Sequence, residues 1–435
     1  MSSSQLIILG FALTITIGAL LLSLPFANVT GKAASLGDAI FTATSAVCVT
    51  GLVVQDTCTY WTLFGQAVII CLIQIGGLGV VTMSVALSML SGKRIGLRQR
   101  SVMRDSISCP QIGGIVRLSG FILRATFVIE ALGAFAMSFV FCRQLGLAKG
   151  IWYSVFHSIS AFCNAGFDLM GFNGKFSSLM SFVKEPLINI PIMALIIIGG
   201  LGFLSWSDIK ANKLQFRYYR MQTKVIISST VVLILLPAVF LFFLEFSGMP
   251  LGQRILASLF QSVTPRTAGF NTVDLAALSQ SALVLMIILM LIGGAPGSTA
   301  GGLKITTVVA LLASMVSVFR KRSHIRLFRR TAADDTVRNA SAIMSLYLML
   351  LIAGAMVINR IEGIDFVSCL FETTSAICTV GLTTGITPGL GAMSRAILIT
   401  LMFCGRVGAL TLVFAAVSSR SDQLSQLPTE KLTTG

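Results

Sequence analysis

Four times along this chain a phenylalanine opens a short run of small and hydroxyl-bearing residues that ends in glycine: FTATSAVCVTG at 41–51, FHSISAFCNAG at 156–166, FQSVTPRTAG at 260–269 and FETTSAICTVG at 371–381. A second mark follows each run: IGGLG at 75–79, IGGLG at 198–202, IGGAPGSTAGGLK at 292–304 and CGRVG at 404–408. Two marks recurring in the same order about 110 residues apart are the signature of fourfold internal repetition. Any fold for this chain has to place four like units, and with them four glycine turns, in related positions.

Each glycine run lies between two apolar stretches near twenty residues long, the length that crosses a bilayer as a helix. The eight stretches are 6–26, 64–90, 117–141, 187–207, 224–246, 283–318, 340–358 and 394–416. With 55% hydrophobic and only 11% charged residues, the 435-residue chain is expected to be an integral membrane protein. The first stretch lacks the basic start of a signal peptide and is read as the first membrane helix. A net charge of +16 does not point to nucleic acid, because the basic residues fall in short runs between apolar stretches. The nine cysteines form no CxxC pair, which supports neither a disulfide framework nor a zinc site. No hydrolase triad, phosphate loop or dinucleotide fingerprint occurs, so the chain is not read as an enzyme and needs no cofactor of its own.

The glycine runs are too short to span and are expected to be re-entrant. The fold class is therefore an all-α membrane protein of four parallel helix-pore-helix repeats, eight transmembrane helices and four re-entrant segments around one axial pore. The repeats are bounded at 1–92, 93–210, 211–330 and 331–420, with a short cytoplasmic tail over 421–435. More than half of the 32 Lys and Arg lie in the connections 91–117, 207–224 and 319–339. By the positive-inside rule these connections and both termini are cytoplasmic, in the cell or inner membrane. All four repeats then point the same way, which disfavours inverted-repeat transporters.

Non-helical backbone at membrane depth needs protein or water around its polar groups. Four turns facing one axis meet that need if their carbonyls surround a cation. The ring comprises Val49, Thr50 and Gly51, then Asn164, Ala165 and Gly166, then Thr267, Ala268 and Gly269, then Thr379, Val380 and Gly381. Each turn follows a short helix whose C-terminal end carries partial negative charge toward the membrane centre. Asp38 and Asp365 open the first and fourth of these helices, as acids at N-termini should.

These runs resemble the superfamily of Trk, Ktr and plant HKT potassium transporters over nearly the whole chain, and within it most resemble the membrane subunits of bacterial Ktr systems, which start at the first repeat helix and end soon after the last. The resemblance implies single filter glycines at Gly51, Gly166, Gly269 and Gly381, a preference for K⁺ as the transported ion, and a gate beneath them. The gate is the interrupted helix of the third repeat, here Gly293, Gly294, Ser298, Thr299, Gly301 and Gly302, followed by Lys304. Ten residues with five glycines and a proline cannot hold a regular helix. The family's basic residue of the last span falls on Arg406. A charge there is functional by default, as a barrier below the filter that also holds the loop, or it donates to helix-end carbonyls. The resemblance further implies a homodimer on a soluble, nucleotide-binding ring. The basic loops suit either that regulator or anionic membrane lipid. Coupling to Na⁺ or H⁺, or a purely structural subunit, are the competing functions.

Several residues break the fourfold pattern. Arg266 stands where the other repeats have Cys48, Cys163 and Cys378, and is expected to brace its turn from behind. Those three cysteines are not expected to converge on a metal. Asp56, Asp168 and Asp274 gather after their glycines, either concentrating cations at an outer mouth or simply solvated. Glu130, Arg124 and Glu372 need polar partners within the membrane. His157 and His324 show no metal spacing.

Overall fold

A twenty-residue apolar stretch in lipid has one way to satisfy its backbone locally, which is helix. The first half of each repeat does this without interruption. In the computed structural model, residues 3–80, 82–83, 96–107, 114–213, 215–322, 324–333, 335–408 and 411 are described. Among them, four helices are long and apolar enough to cross a membrane by length and composition: Ser3–Leu22, Ile115–Leu145, Met221–Glu245 and Asp335–Glu362. They open the four repeats. Their large apolar side chains, such as Phe127, Leu132, Phe135, Leu235, Phe243 and Met356, face outward. That is the pattern of helices solvated by lipid, where exposure of apolar surface costs nothing.

A short helix follows each of them: α1 (Leu36–Val47), α2 (Leu147–Phe162), α3 (Leu251–Val263) and α4 (Phe366–Ile377). The motif phenylalanines Phe41, Phe156, Phe260 and Phe371 are buried on these helices. Each anchors its short helix in the interior, so the apolar pattern of the run is a packing face. Ser35 caps α1 by accepting from Asp38 N at 3.1 Å, and Asp365 caps α4 by accepting from Val367 N and Ser368 N. Both caps satisfy donors that a helix start leaves open.

The second half of each repeat is less regular. In the first, Leu63–Leu78 runs to Gly79, and the rest of the expected 64–90 span lies largely outside the described residues. In the second, the expected span 187–207 is not continuous: Pro186–Gly200 and Phe203–Asn212 are bent by 95°. The cause is local. Gly202 takes φ +84°, and Gly199 lies so close to the Phe162 carbonyl that a Cβ would overlap it. In the third, Gln280–Leu291 and Ile305–Phe319 are separated by an irregular loop. In the fourth, Ala392–Val407 ends at Gly408, and the expected tail 421–435 lies outside the described residues.

Among the described residues, helix dominates. The basic third connection carries a two-residue hairpin pairing Arg326–Leu327 with Arg330–Thr331, turned by Phe328 and Arg329 at positive φ.

First and last repeats are joined on one side by a polar clasp. Arg395 Nη1 meets Asp38 Oδ1 at 3.0 Å, its Nη2 donates to Pro388 O at 2.9 Å, and Gln55 Nε2 donates to Asp38 Oδ2 at 3.1 Å. Breaking a largely buried pair strands a charge. Arg395→Met is therefore expected to destabilise the detergent-solubilised protein by about 2 kcal/mol, seen as a lower midpoint of thermal unfolding. An unchanged midpoint would mean that the clasp adds nothing to repeat closure.

Candidate functional site

The four short helices end in turns of one shape. Val49 (φ +56°) and Gly51 (φ +97°), Asn164 (+58°) and Gly166 (+70°), Thr267 (+65°) and Gly269 (+83°), and Thr379 (+50°) and Gly381 (+92°) all take the left-handed conformation. Non-glycine residues held there are strained, and strain of this kind persists where surrounding structure enforces it. The enforcing bonds are visible. Thr50 N donates to Ser45 O, Ala165 N to Ser160 O and Val380 N to Ser375 O, each at 2.8 Å, and Ala268 N to Thr264 O at 3.0 Å. The third run is one residue shorter, and Thr264 takes the serine's place.

The hydroxyls of the same residues brace the turns in two ways. Ser45 Oγ and Ser375 Oγ accept from Gly51 N and Gly381 N at 3.0 Å. Ser160 Oγ and Thr264 Oγ1 instead donate to the carbonyls of Phe167 and Phe270. The sequence reading missed these four braces, although Ser45, Ser160 and Ser375 occupy one column of the aligned runs.

The turns close on one another. A Cβ built on Gly51 would lie 2.5 Å from Ala165 O, one on Gly166 2.8 Å from Ala268 O, and one on Gly269 2.5 Å from Val380 O, while one on Gly381 would overlap Thr50 O. Each glycine thus abuts the carbonyl of the residue before the next glycine, and the order returns to its start. Thr50, Ala165, Ala268 and Val380, placed in the ring from sequence, are all buried at this junction. Among the described residues, the buried hydroxyls of Thr50 and Thr379 have no protein hydrogen-bond partner.

The interrupted helix packs directly against this ring. Its neck is closed by Gly293 N to Leu303 O at 2.9 Å and Ile305 N to Gly294 O at 3.0 Å. Gly301 abuts the Thr379 side chain, and Gly302 (φ +63°) the Cys378 carbonyl. Lys304 Nζ donates back to Ala300 O at 2.9 Å and Gly301 O at 3.3 Å. Ser298 Oγ donates to Ala295 O at 2.7 Å. Arg406 donates through Nη1 to Thr299 O and through Nη2 to Gly76 O and Gly77 O. It therefore binds the loop and the carbonyl end of the Leu63–Leu78 helix together. A cavity of about 300 Å³ lies against Arg406, Lys304, Ser298, Gly302, Gly77 and Tyr347.

Two of the other singled-out residues support the turns, and the rest are held elsewhere. Arg266 is buried, with Nη2 donating to Thr230 Oγ1 at 3.1 Å, which ties the third turn to the helix behind it. Glu372 accepts from Thr383, from Thr387 at 2.8 Å and from Thr384 N at 3.2 Å, fixing the segment that leaves the fourth turn. Glu130 accepts from Gln74 Nε2 at 3.1 Å. Arg124 is exposed on its helix. The three acids after the glycines are engaged in loops: Asp56 accepts from Thr59 N and Phe176 N, Asp168 from Met170 N, and Asp274 from Ala276 N. His157 is locked between Tyr153 O and Leu169 N, and His324 precedes the hairpin of the third connection. Cys48, Cys163 and Cys378 are buried free thiols, and among the described residues no group of His, Cys, Asp or Glu is placed to hold a metal ion.

Residues 12–427 match the family TrkH, described as cation transport protein. The chain is 38% identical to the potassium/sodium uptake protein NtpJ of Enterococcus hirae, covering 100% of this chain and 98% of that protein. It is 39% identical to the Ktr system potassium uptake protein B of Bacillus subtilis, over 97% of this chain and 94% of that one. Among solved structures, the potassium transporter TrkH from Vibrio parahaemolyticus has a TM-score of 0.74 at 19% identity, covering 96% of this chain and 85% of that chain, which establishes a shared fold. These relatives are transport proteins and not enzymes. The chain belongs to the TrkH family of cation transport proteins.

Proposed function

We propose that this chain is the membrane subunit of a potassium-uptake system, passing K⁺ through one axial pathway formed by four parallel helix-pore-helix repeats. The observation that carries the reading is the closed ring of four left-handed glycine turns. A dehydrated cation at such a ring exchanges its water shell for backbone carbonyls, and the backbone is held in place by the Ser and Thr braces rather than by the ion itself. Four helix C-termini pointing at the ring contribute roughly half a negative charge each, which attracts a cation without binding it so tightly that it cannot leave. The filter comprises residues 49–51, 164–166, 267–269 and 379–381.

The loop from Gly293 to Gly302 acts as the gate, because it lies against the ring on the same side as the cavity lined by Arg406 and Lys304. Arg406 supplies both a latch and a fixed positive charge on the exit path. Since basic connections face the cytoplasm, the gate sits on the cytoplasmic side and ions enter from outside.

A system name for the Bacillus relative supports further subunits. We assign this chain a homodimeric state and a cytosolic nucleotide-binding regulator that docks on the basic connections. Anionic lipids bind the same charge where it meets the membrane. The Enterococcus relative is named for potassium and sodium, which supports a second reading in which Na⁺ accompanies K⁺.

The test is flux from the purified chain in liposomes under an imposed gradient, with K⁺ and Na⁺ measured separately. Selective K⁺ flux without Na⁺ is expected. K⁺ flux that requires Na⁺ or a proton gradient would favour the coupled reading, and no flux of either ion with the regulator present would end the pore reading. Gly51→Ser is expected to lower the K⁺/Na⁺ flux ratio about tenfold, equivalent to ~1.4 kcal/mol, because its side chain would push on the Ala165 carbonyl. A ratio left as it was would mean that the first turn does not set selectivity.

A further inference from the structure

The seated loop touches the filter through one side chain whose chemistry is specific. The single Thr299 hydroxyl hydrogen is shared between two acceptors, Phe162 O at 3.0 Å and Asn164 Oδ1 at 3.2 Å. Asn164 is the strained first residue of the second turn (φ +58°), and its Nδ2 donates onward to Arg266 O at 3.1 Å and Thr267 Oγ1 at 3.4 Å in the third turn. Both atoms of the amide are engaged, so its orientation is fixed by partners on both sides. Thr299 and Asn164 are buried.

The same point is pinned from a third direction. Thr299 N donates to Gly199 O at 3.3 Å and Ala295 N to Gly200 O at 2.9 Å, while Phe203 N donates to Gly297 O at 2.7 Å. A Cβ on Gly199 would come within 2.8 Å of Thr299 Oγ1 and 2.9 Å of Asn164 Oδ1. The loop is therefore seated in the 95° break of the second repeat, with the Thr299 hydroxyl reaching past that break to the filter.

From this geometry we infer that Thr299 and Asn164 couple the gate to ion discrimination. With the loop seated, the Thr299 hydroxyl holds the Asn164 amide, and that amide holds the second and third turns in register. Without that hydroxyl, Asn164 Oδ1 is a buried acceptor left unpaired, and the two turns relax together. Coupling between sites is reciprocal: a cation that favours the tight ring favours the seated loop, so permeant ions bias the gate. The inference rests on the reading of the four turns as an ion filter, and it makes Asn164 and Thr299 positioning residues.

The experiment is the K⁺/Na⁺ flux ratio in liposomes for Thr299→Val, which keeps the side-chain shape and removes the hydroxyl. The ratio is expected to fall about fivefold, the factor equivalent to one net hydrogen bond of ~1 kcal/mol. Thr299→Ser, which restores the donor, is expected to restore the ratio. Ser298→Ala removes a hydroxyl bonded only within the loop and is expected to alter flux without moving the ratio. If Thr299→Val fails to assemble, Thr299→Ala replaces it with the same expectation. A ratio that stays at the unmodified value while flux rises, or an equal shift in Ser298→Ala, would overturn the coupling. Lack of selective K⁺ flux in the unmodified protein would instead sink the filter reading on which it rests.

Discussion

Gly381→Ala is expected to lower K⁺ flux at least about a hundredfold in liposomes, equivalent to ~2.7 kcal/mol, while leaving the helices folded. Gly381 has φ +92°, and an alanine Cβ would overlap the Thr50 carbonyl and lie 3.0 Å from the Gly51 Cα. The obstacle is backbone, which cannot rotate aside as a flexible side chain would. Either the fourth turn leaves its left-handed conformation or the first is pushed outward, and in both cases a carbonyl leaves the ring. Gly385→Ala separates this effect from general strain. Gly385 also has positive φ (+95°), but nothing lies within 4 Å of its Cβ position. That variant is expected to lose about 1 kcal/mol of stability and to keep its flux. Equal flux loss in both would show that the backbone conformation matters and the ring contact does not.

Deleting residues 295–300 is expected to raise basal K⁺ flux about tenfold or more without the regulator, equivalent to ~1.4 kcal/mol. The deletion is sterically reasonable because the neck pairs Gly293 with Leu303 and Gly294 with Ile305 remain. A Cβ on Gly293 would already lie 2.9 Å from Gly301 O, so the cut ends are near each other. What goes is the segment seated against the second-repeat break, together with Thr299, the loop residue that Arg406 binds. Basal flux equal to that of the full chain, with unchanged thermal stability, would remove the loop from gating.

The features legible in the sequence were those written into a repeat. Glycine positions, motif phenylalanines and the long opening helices recur because each unit meets the same packing problem, and recurrence lifts a weak local signal above chance. Arg406 and the loop were legible for a different reason: a charge and a glycine cluster in an apolar setting have few tolerable explanations. Relations between repeats were not legible. The Ser45 and Ser160 hydroxyls look alike in the aligned runs, yet one accepts and the other donates. The bridge from Thr299 to Asn164 joins residues 135 apart in sequence, and no local pattern marks it. For Asp56, Asp168 and Asp274 the sequence left a place at an outer mouth or in solvent open and did not show their hydrogen-bond partners. Asp168 and Asp274 accept from the backbone two residues on, while Asp56 accepts from Thr59 N and, across repeats, from Phe176 N. The bend within 187–207 was hidden because IGGLG reads as an ordinary apolar segment until a neighbouring carbonyl occupies the space a side chain would need.

The closure of the ring has a consequence for how the protein is made. Gly381 abuts Thr50, so the last turn to leave the ribosome completes a junction with the first, and Arg395 reaches Asp38 across 357 residues. In the proposed pore, the first three repeats leave this junction open until the fourth enters the bilayer, at a depth where unsatisfied backbone is costly. Insertion therefore cannot finish repeat by repeat. In that pore the nascent chain carries an unclosed polar seam until the fourth repeat is inserted, and a chain truncated before residue 371 never closes it.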